Sequence, residues 1–306
     1  MTQRRLRSSL TTVAVSRSSF FRHQKFRAYR TSIPPKPFQN RISISELRAK
    51  KAFLIDMDGV IYHQEKIIPG AKEALEWLQV QKKDFLFITN SSQRSPRELQ
   101  AKLCRMGIEV DESRFYTSAL STAAFIASQT PHGSAFVIGE PGLLQAIYDA
   151  GYVTNDVNPD FVIVGESRHY NFDQITRAVS LVQNGARLIG TNSDLVDKKG
   201  EESQEFVPAC GSLIRPIEAA CQVDAFFVGK PSPMMVREAL KRLNSSAADS
   251  IIIGDRMDTD ILGGVQSNLQ TALVLTGVSD RAIVSRFAYQ PDLLLDSIAS
   301  IISNPK

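Results

Sequence analysis

Short apolar runs, each closed by a polar or glycine-bearing cluster, recur along this chain. Phe53-Leu54-Ile55 stops at Asp56-Met57-Asp58-Gly59, and Phe85-Leu86-Phe87-Ile88 stops at Thr89-Asn90-Ser91-Ser92. Ala225-Phe226-Phe227-Val228 stops at Gly229-Lys230-Pro231, and Ile251-Ile252-Ile253 stops at Gly254-Asp255, with Asp260 five residues on. Runs that are apolar throughout are strands buried on both faces, and helical stretches between them predict a parallel sheet covered on both sides. In such sheets ligands bind beyond the carboxyl ends of the strands. All four clusters are therefore expected at one site.

The intervening pattern sets the organisation. Residues 46–117 read as strand, helix, strand, helix. Ser95 is the expected N-cap of the second helix, Pro96 its first residue and Glu98 the partner in a capping box. Residues 118–129 are helical and lead into a second alternating series: strand at Ala135–Ile138, helix at Leu143–Ala150 ending at Gly151, strand at Phe161–Val164, helix at Phe172–Gln183 with Gly185 after it, and strand at Arg187–Ile189. The prediction is an α/β fold with a doubly wound, Rossmann-like parallel sheet over residues 46–117 and 223–306. An inserted α/β domain at 118–222 interrupts it, and the first sheet resumes at 225. A domain inserted there is placed to act as a lid that excludes water and contacts substrate. Residues 193–207, with Asp197-Lys198-Lys199-Gly200-Glu201-Glu202, read as an exposed loop. Its flanks, Asn192 and Asp194 before and Ala209, Cys210 and Gly211 after, are the candidates for facing a substrate.

Charge divides the chain unevenly. Its 306 residues carry 36 Lys/Arg and 32 Asp/Glu, a net of +4, but residues 1–45 hold ten basic residues and no acidic ones. The remainder has 26 basic against 32 acidic residues, a net of −6. An acidic body argues against a nucleic-acid polymer as partner. The Arg-rich, Ser/Thr-rich, acid-free start fits an organelle transit peptide with a proline-bearing linker over residues 1–45. A mitochondrial address comes first, a plastid second, and a cytoplasmic one if the segment is not a transit peptide. No stretch reaches the roughly 20 apolar residues that span a bilayer. Cys104, Cys210 and Cys221 lie far apart, which fits a reducing compartment and no structural zinc site.

Two carboxylates as close as Asp56 and Asp58 repel unless a cation or a proton joins them, which calls for a hard metal such as Mg2+. Asp56, at a rigid strand tip, suits a nucleophile. Asp58, past the turn, suits an acid/base for the leaving oxygen. Asp56, Asp58 through its main-chain carbonyl, and Asp255 are the expected metal ligands. Gly59, Thr89, Asn90, Ser91 and Lys230 are the expected anion-binding groups, the N–H groups around Met57–Gly59 forming a small anion nest. Asp260 is expected behind them, orienting Lys230 or a metal-bound water. Asp258 is expected to face solvent. His63, His132 and His169 read as surface or structural, since no His pair has ligand spacing.

These clusters, in this order, resemble the haloacid dehalogenase (HAD) superfamily of phosphohydrolases. Phe115–Leu120, Asp156–Gly165, Thr191-Asn192 with Asp194, Pro208–Gly211 and Val228–Pro233 resemble its NagD-type nucleotide phosphatases, and the likeness runs over roughly residues 50–300. The resemblance implies a Mg2+-dependent phosphatase of a small phosphorylated metabolite, nucleoside 5′-monophosphates first, acting through an aspartyl-phosphate on Asp56 beneath an α/β cap. Phosphoglycolate, pyridoxal phosphate or a sugar phosphate stay open as substrates of the same chemistry. So does a non-catalytic binding module that kept the fold. Homo-oligomerisation is left open by the sequence.

Overall fold

The computed structural model of the chain describes residues 38–198 and 206–302. In chain order the first elements are α1 (Ile44–Ala49), β1 (Ala52–Ile55), the hairpin β2 (Tyr62–His63) and β3 (Lys66–Ile67), α2 (Ala71–Val80), β4 (Asp84–Thr89), α3 (Pro96–Arg105) and β5 (Phe115–Thr117). A second series follows: α4 (Ser118–Gln129), β6 (Ser134–Ile138), α5 (Pro141–Asp149), β7 (Val153–Thr154), β8 (Phe161–Val164), α6 (Phe172–Gln183), β9 (Arg187–Gly190), the hairpin β10 (Val196–Lys198) and β11 (Phe206–Pro208), α7 (Cys210–Cys221) and β12 (Phe226–Phe227). The chain then returns through α8 (Pro233–Arg242), β13 (Ser250–Gly254), α9 (Leu262–Gln266), β14 (Gln270–Val274), α10 (Arg281–Val284) and β15 (Leu293–Leu295).

Two parallel sheets result. The core sheet runs β15-β14-β13-β1-β4-β5, every neighbouring pair parallel. Its strands are buried on both faces, as an uninterrupted apolar pattern requires. Phe53 and Ile55 of β1 pack with α2 and α3 on one side, and Leu54 packs with α8 on the other. The capping box at the start of α3 forms as the sequence spells it, Ser95 with Glu98. The second sheet runs β12-β9-β8-β6-β7, with α4 and α5 on one face and α6 and α7 on the other. Ile55 of β1 lies level with Phe87 of β4 and Ile253 of β13. The three strands that carry the acidic and hydroxyl clusters therefore end side by side.

Three expectations are corrected. Ala225–Val228 was expected to resume the core sheet, with the core restarting at 223. Instead Phe226 and Phe227 pair with Ile189 and Gly190, making β12 the edge of the cap sheet. Phe226 stacks on Phe125 of α4, and a β-carbon on Gly190 would overlap the Phe227 ring. An apolar run does not say which of two sheets it joins, and here aromatic packing decides. Lys230 thus enters the site directly from the cap's last strand.

The core also begins earlier than residue 46. Ile42 is buried, Phe38 packs on the cluster of Met257, Ile261 and Leu294, and Asn40 Oδ1 accepts from the N–H of Leu294 at 3.0 Å. Residues 38–45 are structural, because they cover the β15 edge and Ser43 caps α1. The rest of the segment read as a transit peptide, residues 1–37, lies outside the described residues.

Finally, the 193–207 segment is not a plain loop. Val196–Lys198 and Phe206–Pro208 pair as an antiparallel hairpin, while residues 199–205 between them lie outside the described residues. No helix among the described residues is long and apolar enough to cross a membrane.

Candidate active site

The cluster beyond β1, β4 and β13 is built around one buried cation. Lys230 Nζ donates to Asp56 Oδ1 at 2.5 Å, to Asp260 Oδ1 at 2.7 Å and to the carbonyl of Ile88 at 3.1 Å. All three donor positions of the ammonium are used. Burial alone would pull this lysine down, but Asp260 and Asp56 outweigh it and raise its pKa, so the ammonium stays charged. Asp56 follows β1 directly, and its N–H continues the sheet to Ile253 at 2.8 Å, which fixes the carboxylate at the strand tip. Burial, opposed by Lys230 and reinforced by Asp260 and Asp255, raises the Asp56 carboxyl well above its ordinary range.

Asp255 follows β13 directly, beside Asp56. Its Oδ2 accepts from the N–H of Val278 at 2.6 Å, and burial together with Asp260 pushes its pKa up to about 6. Asp260 sits on a π-helical turn, Met257–Ile261, of the kind often found at functional sites. It is wholly buried, and its two oxygens are taken by Lys230 and by the N–H of Arg256 at 3.2 Å. Oxygens of Asp56, Asp255 and Asp260 lie within 4.8 Å of one another. Three buried carboxylates around one ammonium leave a surplus of negative charge, and oxygen donors suit a hard divalent cation. Asp56 and Asp255, each with an oxygen free of the hydrogen bonds above, would hold such an ion with the main-chain carbonyl of Asp58. Asp260 is turned to Lys230 and orients it.

Asp58 lies past the turn that follows β1. Its side chain is exposed, yet the surrounding protein mass, and next the charge of Asp197 on the cap hairpin, raise its carboxyl above the ordinary range. His63 on the β2–β3 hairpin faces it, Nδ1 standing 3.7 Å from Asp58 Oδ1. His63 Nε2 lies 2.6 Å from the carbonyl of Thr276, which can only accept, so Nε2 is the donor of that pair. The reading of His63 as surface or structural did not include this contact, which spacing alone does not signal. Asp258 is exposed, held by Arg256 at 2.9 and 3.1 Å, and His132 and His169 are exposed.

The phosphate-binding expectations divide. Thr89 Oγ1 accepts from the N–H of Ser91 at 3.2 Å, which leaves the hydroxyl hydrogen as a donor at the strand end. Gly59, with φ of 77°, gives its N–H to the carbonyl of Tyr62 at 2.9 Å, so this glycine shapes the turn and is not part of an anion nest. Asn90 does not present its side-chain amide to the site. Nδ2 donates to Asp194 Oδ2 at 2.9 Å and to the carbonyl of Lys230 at 3.0 Å.

The cap candidates also look elsewhere. Asn192 is fully buried and donates to the carbonyl of Asn90 at 2.8 Å and to Glu166 Oε1 at 2.6 Å. Glu166 in turn accepts from the N–H of Ser92 at 3.1 Å. Cys210 is fully buried, its Sγ on the carbonyl of Val164, and Ala209 is buried beside it. Gly211 N–H donates to the carbonyl of Asp194 at 2.8 Å. Local packing of α7 on β8 turns Cys210 inward, so the expectation that it faces substrate is overturned. Glu166, Arg256 and the Gly277–Val278 loop were not singled out in the sequence, since each acts through contacts far along the chain.

Family models match the chain in two places: a haloacid dehalogenase-like hydrolase over residues 53–153 and a HAD-hydrolase-like model over residues 227–301. The chain is 40% identical over 250 residues to a dihydroxyacetone phosphatase of Corynebacterium glutamicum (strain R), covering 82% of this chain and 90% of that one. It is 39% identical over 251 residues to the ribonucleotide monophosphatase NagD of Escherichia coli (strain K12), covering 82% and 98%. The solved structure of NagD from E. coli K-12 superposes with a TM-score of 0.77 at 38% identity, again over 82% of this chain and 98% of that one.

Proposed function

The chain belongs to the haloacid dehalogenase-like hydrolases, in their NagD-type branch, and is a phosphoric monoester hydrolase; we propose that it is Mg2+-dependent, works through a phosphorylated Asp56 and prefers nucleoside 5′-monophosphates. The observation that carries the chemistry is the buried Lys230 ammonium shared between Asp56 and Asp260, with Asp255 alongside.

Asp56 attacks phosphorus through a carboxylate oxygen while the ester oxygen departs and takes a proton from Asp58. Water then attacks the phosphorylated Asp56 and gives its proton back to Asp58. Inorganic phosphate leaves and both carboxyl groups are restored. Lys230 holds Asp56 in position, and the Thr89 hydroxyl can donate to a phosphoryl oxygen. Asp56, Asp255 and the main-chain carbonyl of Asp58 would hold Mg2+, which when bound would supply positive charge to offset the repulsion between a carboxylate nucleophile and an anionic ester.

The nucleotide reading rests on the NagD likeness across almost the whole of that relative. A second reading, a triose phosphate substrate, is favoured by the equally strong likeness to a dihydroxyacetone phosphatase. The choice between them is a matter of a few side chains near the cleft, which fold-level likeness does not decide. We also read the basic N-terminal segment as a mitochondrial address; a fluorescent protein carrying residues 1–45 that stays in the cytosol overturns it.

The test is phosphate release from UMP, GMP, AMP, dihydroxyacetone phosphate, phosphoglycolate, pyridoxal phosphate and 4-nitrophenyl phosphate, with Mg2+ and with a chelator. Asp56→Asn is the control. Mg2+-dependent turnover with the nucleotides fastest supports the proposal. A faster triose phosphate replaces the substrate and keeps the mechanism. Asp56→Asn activity within about tenfold of wild type removes Asp56 as nucleophile, since a covalent step has no fallback of that efficiency.

A further inference from the structure

We propose that Asp194, a residue of the cap, is a positioning residue for the catalytic loops, and that it does not read the substrate. The inference rests on the phosphatase reading of Asp56, Asp255 and Lys230. Both oxygens of Asp194 are committed. Oδ2 accepts from Asn90 Nδ2 at 2.9 Å, and Oδ1 stands 3.6 Å from the Arg256 guanidinium. The side chain is mostly enclosed, at 16% exposure, so neither contact is a loosely solvated surface pair.

Each contact leads to Lys230 by a separate route. Through Asn90, the same Nδ2 donates to the main-chain carbonyl of Lys230 at 3.0 Å. Through Arg256, the main-chain N–H of that residue donates to Asp260 Oδ2 at 3.2 Å, and Asp260 Oδ1 holds the Lys230 ammonium at 2.7 Å. Both side-chain hydrogen bonds of Asn90 run through Nδ2, and no described residue donates to its buried Oδ1. A buried acceptor without a protein partner is costly, and the two hydrogen bonds made by Nδ2 offset that cost. The cap reinforces the grip nearby, Asn192 on the carbonyl of Asn90 and Glu166 on Ser92. One cap carboxylate thus fixes the loop after β4 and the turn after β13, the two segments that flank Asp56.

The test uses the full chain with three substitutions. Asp194→Ala removes both contacts. Asp194→Asn keeps the volume and one acceptor for Asn90 but removes the charge facing Arg256. Asp160→Ala is a control at the opposite end of the cap strands, where Asp160 accepts from Ser134 N–H at 2.8 Å. Turnover is measured on acetyl phosphate, which has too few atoms beyond its phosphate to need a cap contact. Hydrogen exchange is followed in peptides covering 86–93, 228–232 and 253–260. We expect kcat to fall three- to tenfold in Asp194→Asn and at least thirtyfold in Asp194→Ala, with KM within threefold of wild type. Faster exchange is expected in all three peptides, and Asp160→Ala should keep wild-type kcat even if its Tm drops. Wild-type kcat in Asp194→Asn, a loss confined to KM, or unchanged exchange around 228–232 overturns the proposal. If Asp194→Ala does not fold, the Asn variant decides by the same criteria. Exchange needs no turnover, so a wild type inactive on acetyl phosphate and on the ester panel above sinks the phosphatase reading while the positioning claim is still decided.

Discussion

The main-chain N–H of Val278 donates to Asp255 Oδ2 at 2.6 Å, and the residue before it has no room for a side chain. A β-carbon on Gly277 would overlap the Asp255 carboxylate, and one on Gly59, held at φ of 77°, would lie 2.6 Å from the same oxygen. Two loops therefore close on Asp255 by main chain alone. Gly277→Ala is expected to push that carboxylate aside, an overpacking that costs about 1–3 kcal/mol. Calorimetric titration should show Mg2+ affinity down at least tenfold with a folded far-UV spectrum. Unchanged affinity would mean that Asp255 is not a ligand.

Asp255 also gives a pH-dependent expectation. Its pKa stands at about 6 against an ordinary 3.8, because burial and Asp260 disfavour the charged form. A raised acid favours folding while it is protonated. That contribution is present at low pH, declines as pH rises from about 4 to about 6, and is gone above. Two units correspond to about 3 kcal/mol. In chelator at pH 8, Asp255→Asn should therefore be more stable than wild type by an amount of that order. The gap should shrink as pH falls toward 4. Added Mg2+ binds the ionised carboxylate and should raise the Tm of wild type more than that of the variant. Thermal unfolding at several pH values, with and without Mg2+, checks both signs.

How much of this was legible in the sequence follows from range. The strand ends at Ile55, Thr89 and Gly254 are marked by abrupt changes from apolar to polar residues, and the Ser95–Glu98 cap is a local motif. Local chemistry of this kind survives folding. The sheet membership of Phe226 and Phe227 was not legible, because burial in the cap and burial in the core produce the same apolar run. Asn90 was misread for a similar reason. An amide after a strand suits a phosphate, and only the distant Asp194 and Lys230 show where its hydrogens go. Cys210 as a substrate-facing residue was a guess from position along the chain, and helix packing turned it inward.

Asp58 and His63 make a kinetic expectation. Alkyl phosphates need a proton on the leaving oxygen, whereas a nitrophenolate leaves without one. Asp58→Ala should slow a nucleotide or other alkyl ester by roughly a hundredfold or more, within the usual range for general acid–base catalysis. With 4-nitrophenyl phosphate the first step survives and hydrolysis of the phosphorylated Asp56 loses its base. Stopped-flow mixing should then show a burst of nitrophenolate close to one per enzyme. His63→Ala, which frees Asp58 from its neighbour at 3.7 Å, should show the same pattern with a smaller loss. A linear trace with equal losses on both esters would remove Asp58 from the proton-transfer role.

The described chain upstream of α1 sets the last expectation. Arg41 N–H and Ile42 N–H both donate to the carbonyl of Asp292, at 2.8 and 3.3 Å, and Asn40 Oδ1 accepts from Leu294. These bonds cover β15, the outer strand of the core sheet, whose free edge would otherwise invite pairing with another chain. Ile42 is buried, worth about 1.5–3 kcal/mol. Ser43 closes a capping box with Glu46, worth about 1 kcal/mol. Phe38 reaches the cluster around Met257 and Ile261, the turn that presents Asp260. A chain starting at residue 38 keeps every one of these contacts. One starting at residue 46 should melt about 5–10 °C lower, as a loss of a few kcal/mol implies for a chain of this size, and should aggregate more readily. Equal melting of the two truncations would show that residues 38–45 are not part of the fold's stable core. It would also return the start of that core to residue 46.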